Sequence, residues 1–189
     1  MSEAEEKGLR RAILDTARQL LTTVGYAHLS MRNIAKEIGY SATSIYLHFE
    51  SKDDLIHALI DEGVDVLFGE LSQADMASSS PEQRLEAMCR AYVRFGLERS
   101  EYYGIMYVLH PEYIKRYPVD KYRKARRNLE IMAQAVQDGI EAGVFRKVEP
   151  MLAANLAEAE IIISESRIAL KFLLPDNLPV RTAVTRTLG

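Results

Sequence analysis

The sequence is sparing in the residues that lock small or extracellular folds. Its 189 residues hold one cysteine, Cys89, so no disulfide can form within the chain, and a reducing cytosol suits it. Tryptophan is absent, and six prolines with ten glycines are too few for a loop-rich or low-complexity chain. The net charge of −3 gives no global pull toward nucleic acid or an anionic membrane, so a DNA-binding surface would have to be local. No uncharged apolar run reaches the ~18 residues of a membrane span; the richest, IIISESRIALKFLL, is broken by Glu165, Arg167 and Lys171. The opening MSEAEEKGLRR lacks the apolar centre of a signal peptide. A cytoplasmic protein away from any membrane is expected.

Hydrophobic content is ample, at 48%, for a sizeable core. Strand signals are nearly missing, and helical periodicity recurs between punctuation marks. Ile13, Ala17, Leu20, Leu21 and Val24 make one stripe, and Gly25 stands where a left-handed cap is needed. Ser30 caps a short helix carrying Ile34, Ala35 and Ile38, which Gly39 ends. Ser41 caps the next, with Ile45 and Phe49 inward. Ser51-Lys-Asp-Asp54 is a capping box opening a long helix to about residue 76. Three serines and Pro81 mark the clearest boundary, followed by helices over roughly 81–100, 101–110, 120–142 and 149–174, then a short segment after Pro179. The reading is all-α, with an N-terminal three-helix helix-turn-helix domain over 1–52. A larger helical domain over 53–189, for ligand binding and dimerisation, follows through the long fourth helix.

The two short helices around EIGYS fit a helix-turn-helix, whose second helix enters the major groove. At 100° per residue, pointing Ile45 at the core puts Phe49 and Ala42 within about 60° of it and turns Thr43 and Leu47 outward. Ser44 and Tyr46 flank that outward face. Hydroxyls pair with any base, and a methyl suits thymine. Phosphates would take the Tyr46 hydroxyl, His48, and amides at the helix starts after Ser30 and Ser51, with Lys52 adding a cation there. The local charge of residues 30–52 is only +1.

The stretch LSMRNIAKEIGYSATSIYLHFESKDDLIHALI closely resembles the DNA-binding domain of the tetracycline-repressor (TetR) family of bacterial regulators. The likeness runs from about Leu9 to Ile60. It implies that Ser30 and Arg32 meet the DNA backbone. It further implies that Tyr40, Ser41, Thr43, Ser44 and Tyr46 sit in or beside the groove, with His48 near a phosphate and Lys52 on one. Two positions depart from the family pattern. Leu47 stands where an aromatic or histidine is common, and offers only apolar contact. Asn33 replaces an acid that often completes the second helix's cap.

Seven of the ten tyrosines fall between 92 and 122. At helical spacing Leu85, Met88, Tyr92 and Phe95 share one face, and Tyr103, Met106, Tyr107 and His110 another. Methionines and amphipathic rings suit a pocket with apolar walls, and the family resemblance implies that an inducer binds in one; ordinary core packing explains them equally well. The run KRYPVDKYRKARR, 115–127, reads either as a solvated face or as a mouth for an anionic group. The stretch 151–174 is apolar on nearly every side, which suits burial against its own bundle and against a twin across a two-fold axis. The segment after Pro179 is short for completing that interface.

These features point to a homodimeric transcriptional regulator, most simply a repressor, that binds a palindromic double-stranded DNA operator and is released by a small molecule with an apolar body and a polar or anionic end. A DNA-binding adaptor or architectural protein without an effector is the alternative, and it predicts a filled core in the larger domain. An enzyme fits badly. Cys89 lies mid-helix in an apolar stripe, the four histidines show no i, i+4 pairing for a metal, and no Gly-rich phosphate loop is present. No cofactor is expected.

Overall fold

The computed structural model describes residues 3–108 and 118–159, all of them in helices, turns and short connections. They pack as two compact units. Among the described residues the first joins 3–69 with 98–108 and 118–128, and the second joins 70–97 with 129–159. The division falls inside the long fourth helix, well past the end of the helix-turn-helix at residue 52.

In the first unit α1 spans Glu3–Val24. Leu9, Ile13, Leu14, Ala17 and Leu21 recur on one side of it and are buried, which is why this segment is a surface helix on a core. Gly25 ends it with φ 75° and ψ 171°. The positive φ is as the sequence predicts, but the ψ lies outside the left-handed helical basin, in a region essentially restricted to glycine. A 3₁₀ turn at Tyr26–His28 follows.

Helix α2, Met31–Ile38, opens on Ser30, whose hydroxyl accepts from the Asn33 N–H at 3.1 Å. It closes on Gly39, at φ 74° and ψ 26°. There Tyr40 N–H donates to Ala35 O (2.9 Å) and Gly39 N–H to Lys36 O (3.4 Å), the paired bonds of a Schellman stop. Helix α3, Ala42–Tyr46, starts at once from Ser41, which accepts from Ser44 N–H at 3.1 Å. Helix α4, Lys52–Met76, opens on Ser51, which accepts from Asp54 N–H at 3.1 Å. The Asp54 carboxylate reaches one residue beyond the expected box and accepts from Glu50 N–H at 3.1 Å. Ile34, Ile45, Phe49 and Leu55 fill the centre of this unit with the α1 stripe.

Ile105, far along the chain, joins the same core. It lies on a π turn, Gly104–Val108, that follows the short α6, Ser100–Tyr103; the sequence predicts one helix over 101–110 here. Met106 and Tyr102 press on α4 at Gly63, where a Cβ would come within 2.6 Å of the Met106 sulfur. Glycine is what lets the two elements meet.

In the second unit α5 spans Pro81–Glu98, with Ser80 capping it, and buries Met88, Ala91, Tyr92 and Phe95. Helix α7, Val119–Glu141, begins in the first unit and ends in the second. It stops at Gly143, φ 73°, where Val144 N–H donates to Gly139 O (2.9 Å) and Gly143 N–H to Ile140 O (3.1 Å), repeating the Schellman bonds. A last helix, α8, begins at 150 and continues through the described residues to 159. The rest of the 149–174 prediction, and the segment after Pro179, lie outside the described residues.

Candidate nucleic-acid interface

The candidate surface rests on a contrast between the two sides of α3. Ile45 is fully buried and Phe49 is 2% exposed, fixing the inner side. On the other side Leu47 is 78% exposed, Tyr46 53% and Tyr40 50%. Thr43 is exposed as well, so the outward pair expected from helical geometry stands outward. A large apolar side chain in water on a five-residue helix has no folding benefit of its own.

The polar candidates divide into free and engaged groups. Arg32 is exposed at the start of α2. Ser30 is half-buried and holds its cap. The Ser41 and Ser44 hydroxyls lie 2.9 Å apart and bond each other while Ser41 also caps α3. His48 is half-buried, and its Nε2 is enclosed without a hydrogen-bond partner, a pose that does not present this nitrogen to a phosphate.

Lys52 is engaged too. Its Nζ donates to the Tyr26 carbonyl at 2.5 Å and lies 3.4 Å from the centre of the Tyr26 ring. The Tyr26 hydroxyl in turn donates to Asp53 at 3.1 Å. Burial pushes the Lys52 ammonium below its ordinary pKa, with Asp53 opposing the shift. Asn33 also ties back to the turn, donating to the His28 carbonyl at 3.0 Å, so it bonds where an acid would not. Tyr26 and Asp53 belong to this corner as well, and no local sequence pattern singles them out. Tyr26 stands beside Gly25, but its partner is 26 residues away.

Behind the head a charged cleft of about 630 Å³ lies within the first unit, lined in part by Lys7, Arg10, Arg11, Asp61, Glu62 and Lys121. Arg11 bridges Asp15 (2.7 Å) and Glu62 (2.8 Å), and Tyr102 places its hydroxyl between Arg18 and Glu62. Three cations of the basic run are paired in this region, and Arg123 and Arg126 are exposed. Lys121 pairs with Asp61 at 2.8 Å, Lys124 with Asp65 at 2.5 Å, and Arg127 with Asp65 while stacking 4.3 Å from the Phe68 ring. These three residues clamp α7 to α4, a role that neither a solvated face nor an anion mouth describes; residues 115–117 lie outside the described ones.

The expected ligand residues are divided between the units. Tyr103, Met106 and Tyr107 belong to the first, with the two tyrosine rings 5.1 Å apart. Met88, Tyr92 and Phe95 belong to the second and are at most 1% exposed. The Tyr92 hydroxyl donates to Glu158 at 2.7 Å. His110 lies outside the described residues. Burial pushes the Cys89 thiol up, away from the thiolate a nucleophile needs. Among the described residues no three His, Cys, Asp or Glu side chains gather to hold a metal, and no helix is long and apolar enough to cross a membrane.

A capped pair of short helices, packed through one face on α1 and α4 and open on the other, defines a helix-turn-helix transcriptional regulator rather than an enzyme. Residues 13–59 match the family described as bacterial regulatory proteins, tetR family. It is 25% identical over 144 residues to an HTH-type transcriptional repressor, KstR2, of Mycolicibacterium smegmatis, covering 72% of this chain and 67% of that one. It is 37% identical over 59 residues to an HTH-type transcriptional regulator of Haemophilus influenzae, which is 31% of this chain and 29% of that one. The second match thus spans under a third of the relative's length. A solved structure from Rhodococcus sp. RHA1, of unknown function, superposes with a TM-score of 0.76 at 26% identity, covering 95% of this chain and 91% of that one.

Proposed function

We propose that the protein is a repressor that binds a palindromic operator as a homodimer and is released by a small hydrophobic or amphipathic molecule. The observation that carries the DNA-binding part is the outward face of α3, where Thr43, Tyr46 and Leu47 stand exposed over a fully buried Ile45. Tyr40, exposed just before α3, lies beside the groove, and Arg32, exposed at the start of α2, meets the sugar-phosphate backbone. One such helix reads only a few base pairs, so affinity requires two heads on two half-sites, spaced by about 34–36 Å or a multiple of it.

Dimerisation is supported by α8, whose Leu152 and Leu156, one turn apart, are 57% and 62% exposed. A twin helix on that face would remove both from water. Release is supported by the tyrosines and methionines of α5, α6 and the π turn. Because Lys121, Lys124 and Arg127 already hold carboxylates, the effector is recognised mainly through its apolar body rather than by an anionic end paired with these residues.

The test selects binding sites from random duplex DNA with the full chain, then follows the complex by fluorescence anisotropy against candidate effectors. Enrichment of an inverted repeat and a dimeric mass by light scattering support the reading; a monodisperse monomer on DNA ends it. The full burial of Met88, Tyr92 and Phe95 favours a second reading, a DNA-binding adaptor with a filled core and no effector. That reading gains if no apolar or amphipathic compound releases the complex.

A further inference from the structure

The recognition face of α3 has fewer polar readers than its sequence suggests. Ser44 would have to give up its 2.9 Å bond to Ser41 before reading a base. The His48 Nε2 is enclosed. Tyr46, 53% exposed, remains at the flank, and Leu47 and Thr43 remain one turn apart on the outward side, with Leu47 N–H bonded to Thr43 O at 3.2 Å. Leu47, 78% exposed, is the most prominent group there.

A leucine side chain has no hydrogen-bonding capacity, so it cannot read the donor and acceptor pattern of a base edge. In the major groove the apolar feature it can meet is a methyl group on C5 of a pyrimidine. Resting on the operator-binding reading above, we infer that Leu47 reads the C5-methyl group of one pyrimidine in each half-site. The contact senses the methyl and not the pairing edge. Thymine therefore satisfies it, and 5-methylcytosine satisfies it where cytosine does not. The operator's affinity is then sensitive to cytosine methylation at that position.

The burial of one methyl group corresponds to about a fourfold change in affinity, and two half-sites changed together give about 15-fold. The experiment starts from the inverted repeat selected with the full chain. Each thymine is replaced by uracil symmetrically in both halves, which removes the methyl and nothing else. At the same positions a G·C pair is then built with cytosine or 5-methylcytosine. Wild type, Leu47→Ala and Leu47→Met are compared by anisotropy at one salt concentration. Because Leu47 lies outside the core, all three should fold alike, which circular dichroism checks.

The expected result is one position per half-site where uracil weakens wild-type binding about 15-fold, and where 5-methylcytosine binds about 15-fold more tightly than cytosine. Leu47→Ala should abolish both differences, and Leu47→Met should keep them. Equal methyl sensitivity in wild type and Leu47→Ala, or a selected site with no sensitive thymine, overturns the assignment. If no sequence is enriched at all, the operator reading fails beneath it, and the two failures are told apart.

Discussion

The head and the second unit use different means to hold their helices. In the head the helix ends are set by residues next to them in sequence: the Ser30, Ser41 and Ser51 hydroxyls at the starts, and the left-handed backbone of Gly39 at a stop. The second unit has local caps too, at Ser80 and Gly143, but adds partners from far away. Arg84 joins Asp75 at 2.7 Å to Asp138 at 2.5 Å, and Tyr92 reaches Glu158 across 66 residues. Local caps fix the direction of a short helix to within a turn, which a groove-reading element needs. Distant pairs fix how long helices lie against each other and tolerate sliding at their ends. The comparison teaches that in this chain precision is concentrated where the helices are shortest.

The largest effect should come from the residue that orients α3. Ile45→Ala removes a fully buried side chain from the head's centre and should cost about 2–5 kcal/mol. Met88→Ala, equally buried in the second unit, should cost a similar amount. Only the first should also abolish operator binding, as anisotropy on folded protein at low temperature would show. Equal loss of binding in both would mean that the head has no independent precision.

Next in size are the caps. Gly39→Ala places a Cβ on a left-handed residue and should cost about 1–2 kcal/mol by denaturant titration, although the space around it is open. Ser41→Ala removes both the α3 cap and the partner of Ser44, costing about 0.5–2 kcal/mol. If Ser41→Ala leaves operator affinity unchanged at temperatures where the protein is folded, the local caps stabilise α3 without aiming it.

The second unit's long-range pair should show itself in acid. Gln134 and then Arg84 hydrogen-bond the Asp138 carboxylate and hold it below its ordinary pKa. A depressed carboxylate contributes stability that is present above its unfolded pKa and is lost as pH falls through the folded value. Asp138→Asn should therefore flatten the acid limb of the stability curve below about pH 4 while leaving the head's acid response unchanged. An unchanged limb would show that this pair contributes nothing measurable.

How much of this was legible beforehand follows the same division. The serine caps, Gly39 and the inward side of α3 could be read from residues within four positions of one another. Helical periodicity located α1, α4, α5 and α7 to within a few residues, apart from the start of α1, read from the stripe at about Gly8 and found at Glu3. The π turn was not legible, because what holds it is the contact of Met106 and Tyr102 with Gly63, about 40 residues away. In the sequence the basic run reads as a face or a mouth, because Asp61 and Asp65 lie some 60 residues upstream. Charge alone cannot say whether a cation already has a partner. The same limit applied to Lys52, placed on a phosphate by its position at a helix start, where the structure sets it against Tyr26.

Lys52 therefore gives the smallest and sharpest prediction. Its ammonium has two possible partners: the Tyr26 ring and carbonyl within the head, and a phosphate at the mouth of α4. A cation over an exposed ring is worth about 0.5–1 kcal/mol, so exchanging it for a phosphate costs little and DNA can take the lysine. If it does, Lys52→Ala should lower affinity for every sequence and reduce the slope of log K against log salt by about 0.9 per head. Tyr26→Leu removes the competing ring while keeping the backbone carbonyl. It should leave that slope intact and, by freeing the lysine, raise affinity slightly, by no more than about fivefold per head. Lys52→Ala with an unchanged slope, together with a loss of thermal stability matched by Tyr26→Leu, would place the lysine wholly inside the head. The local architecture there would then include a cation that holds the turn to α4 and never meets the DNA.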